Sequence, residues 1–361
     1  MALDVSGDLV TLLRQLIDIP SESGDEDALA TEIVAALAAL PHLVTRRHGN
    51  TIVARTELGR PRRVVVAGHI DTVPIAGNVP SWVRAVDGEE RVYGRGACDQ
   101  LGGIAVQLAV AAAVAEPVMD VTWIFYDCEE VDAERNGLRR LLAEHPEVFD
   151  ASFAVLTEPS DAGVEGGCQG TLRARIAARG RTAHSARPWM GENAIHGLAT
   201  ALDRLTAYVG ARPVVDGLEY REALNAVRIG GGIAGNVIPD HAWVEVNHRY
   251  APGKTAGEAE AFVREYFAGY EVEVVDNAPG ARPGLDRPEA VEFLAGVPTP
   301  PRPKFGWTDV ARFSSLGIPA VNFGPGDPVK AHADDEYVPA AHLTLCHDAL
   351  VRWLTGGVVE P

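Results

Sequence analysis

Two kinds of apolar pattern alternate over the first 160 or so residues. LVTLLRQLIDI and ALATEIVAALAAL space their apolar side chains three and four apart, as helices with one buried face do, and SESGDED between them supplies turn and capping residues. TIVART, RRVVVAG, DVTWIFYD and FAVLT are short, nearly continuous apolar runs rich in β-branched residues, and the helix patterns LGGIAVQLAVAAAVA and NGLRRLLAEH fall among them. Strands alternating with helices predict an α/β fold, a mostly parallel sheet flanked by helices.

The texture changes near Gly170. TLRARIAARG, WVEVNHRY and YEVEVVD alternate apolar with polar residues, as strands with one solvated face do, and NAIHGLATALDRLTAYV and TAGEAEAFVREYF are helix-like. That order predicts a compact α+β, ferredoxin-like insert. Beyond the proline-rich GVPTPPRPKF, the segments GIPAVNFG and HLTLCHDALVRWL return to the first texture. The predicted plan is a catalytic α/β domain over residues 1–169 and 282–361, interrupted by a smaller domain over 170–281.

Charge and composition narrow the partners. A chain of 361 residues is long enough for two domains. Its formal net charge of −18, with no stripe of lysine and arginine, excludes nucleic acid as the expected partner. No apolar run approaches the roughly 18 residues of a membrane span. The start MALDVSGDLVTLLRQL lacks the basic flank of a signal peptide, so a cytoplasmic protein is expected. Cys98, Cys128, Cys168 and Cys346 are far apart and form no C-x-x-C pair, which suits reduced core thiols.

Chemistry gathers after the strands. His69 and Asp71 follow RRVVVAG, Glu129 and Glu130 follow DVTWIFYDC, Glu158 follows FAVLT, and Asp99 opens the helix after GRGACDQ. Open parallel sheets bind ligands beyond the carboxyl ends of their strands, so these groups are expected at one edge. Singly, each has an ordinary explanation: a loop histidine, solvated loop charges, a turn before Pro159, or, for Asp99, an N-cap. Together, several acids at one edge would repel one another unless a cation neutralised them. Imidazole and carboxylate without thiolate suit zinc or a similar divalent ion, and two such ions need a second histidine, for which His332 in GPGDPVKAHADDEYV is the best candidate.

GHIDTVP, GRGACDQLGG, YDCEEV, LTEPS and HADDEYV resemble, in order, the five metal-site motifs of the co-catalytic di-zinc amidohydrolases and exopeptidases, the family of aminoacylase and acetylornithine deacetylase. YDCEEVDAERNGL, EGGCQGTLR, TAHSARPWMGENAIH and KFGWTDVARF look more specifically like its actinobacterial-type succinyl-diaminopimelate desuccinylases. The resemblance implies two zinc ions per subunit, with cobalt or manganese as substitutes, and hydrolysis of a small N-acyl amino acid, N-succinyl-LL-2,6-diaminopimelate, to succinate and LL-diaminopimelate. It implies that Asp99 bridges the ions, that His69 and Glu158 hold one, and that Glu130 and His332 hold the other. Glu129 is then the general base and Asp71 the partner of the far nitrogen of His69. The insert becomes a lid and homodimerisation domain whose His184 reaches the partner's active site, and Asn236, Arg249, Thr308 and Gly324 meet the substrate. CQGT at Cys168–Thr171 and the loop DPVKA depart from the better-known proteobacterial desuccinylases, and both departures touch recognition of substrate carboxylates.

Overall fold

In the computed structural model, which describes residues 2–357, the apolar runs become strands of an eight-stranded sheet. Its order begins β1 (Val44–His48), β2 (Thr51–Arg55), β6 (Asp120–Tyr126), β3 (Arg63–His69) and β7 (Phe153–Leu156), and continues with Ala320–Asn322 and Glu165–Gly166. The centre is parallel: β3 pairs with β6 and β7, and β7 with Ala320–Asn322, while β1, β2 and Glu165–Gly166 pair antiparallel at the flanks. Every residue of β6 and β7 is buried, as expected of strands covered on both faces.

The helix α3 (Leu101–Ala113) is buried from Leu101 through Ala111 and so lies inside the domain rather than on its surface. It packs against α1 (Leu9–Ile17), α2 (Asp27–Ala38) and the last helix, Ala340–Thr355. On the core's other elements Trp353 meets Phe153 and Phe293 edge to face, with centroids 5.8 and 5.0 Å apart, and the two phenylalanines lie tilted at 5.9 Å. One hairpin, β4 (Trp82–Val86) with β5 (Glu89–Tyr93), was not among the predicted elements. Asp87 and Gly88, at φ 51° and 85°, turn it, and Tyr337–Pro339 pairs with its second strand.

Two compact units emerge: residues 1–166, 284–302 and 312–361, and residues 167–283 with 303–311. The second unit carries an antiparallel sheet in the order Ala223–Gly231, His241–Tyr250, Gly170–Arg179, Glu271–Ala278. With helices at Ala194–Gly197, Ala199–Thr206 and Ala256–Tyr266 between the strands, this is the βαββαβ order of a ferredoxin-like domain. Leu172, Ala174 and Ile176 alternate onto the face covered by Ala259, Val263 and Phe267. On the opposite face Arg173 and Arg175 pair with Glu245. The single helix expected over NAIHGLATALDRLTAYV is broken at Leu198, and Ala223–Gly231 is an additional strand. Thr255 and Glu258 form the capping box that starts Ala256–Tyr266. Among the described residues no helix is long and apolar enough to cross a membrane.

Candidate metal centre

β3 delivers His69 at its last position, almost fully buried. The ring's Nε2 lies 3.1 Å from Asp99 Oδ1, while Nδ1 lies 2.9 Å from the Asp71 carbonyl oxygen and 3.5 Å from Asp71 Oδ1. The backbone of Asp71 is therefore the closer acceptor for the far nitrogen. The Asp71 carboxylate has further partners: it accepts from Ser23 Oγ at 2.7 Å and from the backbone N–H groups of Glu129 at 2.9 Å and Glu130 at 3.1 Å. One buried acid thus ties the loop after β3 to the loop after β6. Cys128, at φ 57°, turns the chain just before the two glutamates.

Asp99 sits between two imidazoles. Oδ1 faces His69, and Oδ2 lies 3.5 Å from His332 Nε2, which is itself 2.8 Å from Glu130 Oε1. The helix that follows starts at Leu101 and has no side-chain cap, so Asp99 is not an N-cap. The Asp99 loop is held instead by Glu336, whose buried carboxylate accepts from the backbone N–H groups of Cys98 and Asp99, both at 2.9 Å, from that of Gly96 at 3.2 Å, and from Arg95 Nη1 at 2.9 Å. Burial pushes the Glu336 carboxyl above its ordinary range, against the pull of those N–H groups. Because Glu336 lies four residues beyond His332, it fastens the Asp99 loop to the His332 loop.

Glu158, just past β7, is buried, and its Oε1 accepts from Gln100 Nε2 at 2.6 Å. His69, Asp99 and Glu130 each present a ligand atom within 4.8 Å of the others. His332 adjoins this trio through Glu130 and Asp99, and Glu158 reaches it through Gln100, the neighbour of Asp99.

Electrostatics define what the cluster suits. Burial would raise the Asp99 carboxyl, but the hydrogen bonds from His332 and His69 outweigh it and hold it well below the carboxylate range. Asp99, then Glu130, push His332 up to about 10. Burial opposes a charge on His69, yet Asp71 and Asp99 raise it well above 6.5. The carboxylates thus draw positive charge onto both rings, and divalent cations bound by the same nitrogens and oxygens would supply that charge in place of protons. Imidazole nitrogens and carboxylate oxygens together fit hard or borderline divalent ions.

A second trio, Glu26, Asp127 and Cys128, also converges within 4.8 Å. Its members are satisfied within the protein: Asp127 by Thr51 and Arg140, both at 2.6 Å, and Glu26 by Gly24 N–H at 2.6 Å. Burial, then Glu26, push the Cys128 thiol up to about 12, so it stays protonated.

Of the other predicted residues, Gly324 belongs to the first unit, and its N–H donates to Ser160 Oγ at 2.9 Å. A side chain there would collide with the Thr157 and Glu158 carbonyls at 2.3 and 2.6 Å. His184, Asn236, Arg249 and Thr308 lie in the second unit. The pairing of Ala183–His184 with Val237–Ile238 brings His184 beside Asn236, whose carbonyl accepts from Ser185 N–H at 2.9 Å. His184 Nδ1 accepts from Ala186 N–H at 3.0 Å, so a neutral ring carries its hydrogen on the exposed Nε2. Burial lowers the Arg249 guanidinium below its usual range, and its Nε donates to Asn247 Oδ1 at 3.0 Å. Sequence reasoning passed over Ser23, Arg95, Gln100 and Glu336. Glu336 stands inside HADDEYV, but nothing in that run marks which acid turns inward.

Beyond the sheet, two imidazoles, buried His69 and half-exposed His332, converge with several carboxylates on one aspartate, a donor set for metal-assisted hydrolysis. Residues 65–356 match the model of peptidase family M20/M25/M40, and the chain belongs to that family. Over 364 residues it is 46% identical to the succinyl-diaminopimelate desuccinylase of Corynebacterium glutamicum, covering 98% of each chain. It is 48% identical over 357 residues to a Mycobacterium tuberculosis protein that carries the same name provisionally, covering 98% of this chain and all of the relative. A tripeptidase from Staphylococcus aureus shares the fold, with a TM-score of 0.80, 21% identity and 97% of each chain covered.

Proposed function

We propose that this protein hydrolyses the amide bond of N-succinyl-LL-2,6-diaminopimelate, releasing succinate and LL-diaminopimelate, with two divalent ions, zinc foremost, as cofactors. The observation that carries the chemistry is Asp99, which turns one carboxylate oxygen to His69 and the other to His332. Support for the substrate comes from the relatives named as desuccinylases, which match the chain nearly end to end at 46–48% identity.

His69 and Glu158 would hold one ion and Glu130 and His332 the other, with Asp99 shared. The ions would supply Lewis acidity and a lowered water pKa. The protein's own groups do the rest. Glu129 takes a proton from the attacking water and returns it to the leaving amine nitrogen, a role that needs its backbone fixed, as the Asp71 carboxylate fixes it. His184 donates from Nε2 to the carbonyl oxygen as negative charge develops there. Arg249 and Asn236, with Thr308 and Gly324, meet the substrate's carboxylates and backbone.

The second unit is the lid and dimerisation domain, and His184 acts in the partner's site. The edge strand Ala223–Gly231 supports this: Val227 and Ile229 are more than half exposed, with Ile233 beyond them. Exposed apolar strand edges invite pairing with another chain.

The direct test offers the protein equal concentrations of succinyl-diaminopimelate, acetylornithine and N-acetyl amino acids at matched zinc. Succinyl-diaminopimelate should give the largest kcat/KM by at least tenfold; a better rate on an acetylated substrate would reassign the acyl group.

A further inference from the structure

Gln100 stands at the position before α3 where serine, threonine, aspartate or asparagine usually caps a helix, yet it makes no cap. The side chain is fully buried and is used elsewhere. Nε2 donates to Glu158 Oε1 at 2.6 Å, and Oε1 accepts from Thr157 Oγ1 at 3.1 Å. Thr157 Oγ1 in turn accepts from Gln107 Nε2 at 2.7 Å, from the buried middle of α3. All three donors point the same way, from Gln107 through Thr157 and Gln100 to a carboxylate. A carboxylate that holds a metal ion is deprotonated and only accepts, so with Glu158 as such a ligand Gln100 turns its NH2 to Glu158 and its carbonyl to the threonine hydroxyl. Hydrogen bonds chained in a low-dielectric interior strengthen one another, most of all when they end on a charge.

The backbone makes room for this chain. A Cβ on Gly68, the residue before His69, would stand 2.4 Å from Gln107 Nε2, 2.5 Å from Gln100 Oε1 and 2.7 Å from Thr157 Oγ1. A Cβ on Gly103 would stand 2.3 Å from the Thr157 carbonyl. Two glycines on facing elements thus leave space that the polar chain fills. Neither helix capping nor apolar packing accounts for a glutamine here.

We infer that Gln100 is a positioning residue for Glu158: it fixes one carboxylate oxygen and so sets the affinity of only the ion that Glu158 holds. This rests on the metal assignment proposed above. The test strips metal from the protein with chelator and measures zinc uptake by competition with a chromophoric chelator, alongside metal-free thermal unfolding to confirm the fold. Wild type should take up two ions. Gln100→Leu should lose affinity in one binding step by tenfold to a hundredfold, the range for lost outer partners of metal ligands, with the other step within threefold. Gln100→Met, closer in length and flexibility, gives the same reading should the leucine variant not fold. Gly68→Ala should reproduce the one-step loss by displacing the amide. Two wild-type-like steps in a folded Gln100 variant would overturn the inference and leave the metal assignment standing. Equal weakening of both steps would reduce Gln100 to a structural role. Fewer than two ions on wild type would overturn the metal assignment and this inference with it.

Discussion

Two acids in the first unit act through different atoms, and substitutions separate them. The role proposed for Glu129 lies in its side chain, so Glu129→Gln should keep both ions and lose at least a hundredfold in kcat, the usual scale for a lost general acid–base group. Zinc content and steady-state rates check this. Asp71 acts through the backbones of Glu129 and Glu130, the hydroxyl of Ser23 and the ring of His69. Asp71→Ala should therefore lower zinc affinity tenfold to a hundredfold and lower kcat as well, even at saturating zinc. Recovery of full rate under excess zinc would limit Asp71 to supporting His69. The metal-ligand candidates could be picked out from sequence because each stands in a short polar motif, His69 at the end of a strand, Glu130 and Glu158 beyond strands, Asp99 before a helix and His332 in a loop. Glu336 and Gln100 could not. An inward-facing glutamate among HADDEYV and a glutamine in a cap position look like solvated polar residues until the fold buries them.

At the scale of elements, the α/β alternation was legible because the parallel strands are buried on both faces and read as unbroken apolar runs. The β4–β5 hairpin escaped because Trp82, Val83, Arg84 and Ala85 are exposed, although its Asp87-Gly88 turn is a common hairpin signal. The extra strand Ala223–Gly231 escaped for a related reason: it is an edge strand, exposed from Asn225 through Ile229, and its register shifts between Ala226 and Arg228. Asp120, the first residue of β6, holds the chain before β3 by accepting from Thr56 Oγ1 at 2.8 Å and from the N–H groups of Leu58 and Arg60, both at 2.9 Å. Burial alone would raise the Asp120 carboxyl, but these donors outweigh it and hold it below 3.8. A carboxyl lowered in the folded state stabilises the fold above its unfolded pKa of about 3.9 and loses that contribution as pH falls through the folded value. Asp120→Asn should therefore lose about 1.5–3 kcal/mol at pH 7, with the gap from wild type closing below about pH 4. Urea denaturation at a series of pH values measures it; a constant gap would mean that the charge contributes nothing.

For the whole molecule, the claim to test is assembly. On the edge strand Val227 and Ile229 are 55% and 57% exposed, and Ile233 just beyond it 64%, an apolar edge open to pairing with another chain. Wild type should elute at twice the chain mass in light scattering, and Ile229→Asp should elute as a monomer with little activity, since each site would lose the partner's His184. Mixing Glu129→Gln with His184→Ala should restore part of the rate through mixed dimers carrying one intact site. A fully active Ile229→Asp monomer would remove His184 from the mechanism.

The most direct measurement of the central claim is a zinc titration of chelator-stripped protein, scored by release of succinate from succinyl-diaminopimelate. Hydrolysis carried by two bound ions predicts negligible rate without metal and full rate at two equivalents. Full rate without metal, or binding of two equivalents with no succinate released, would contradict it.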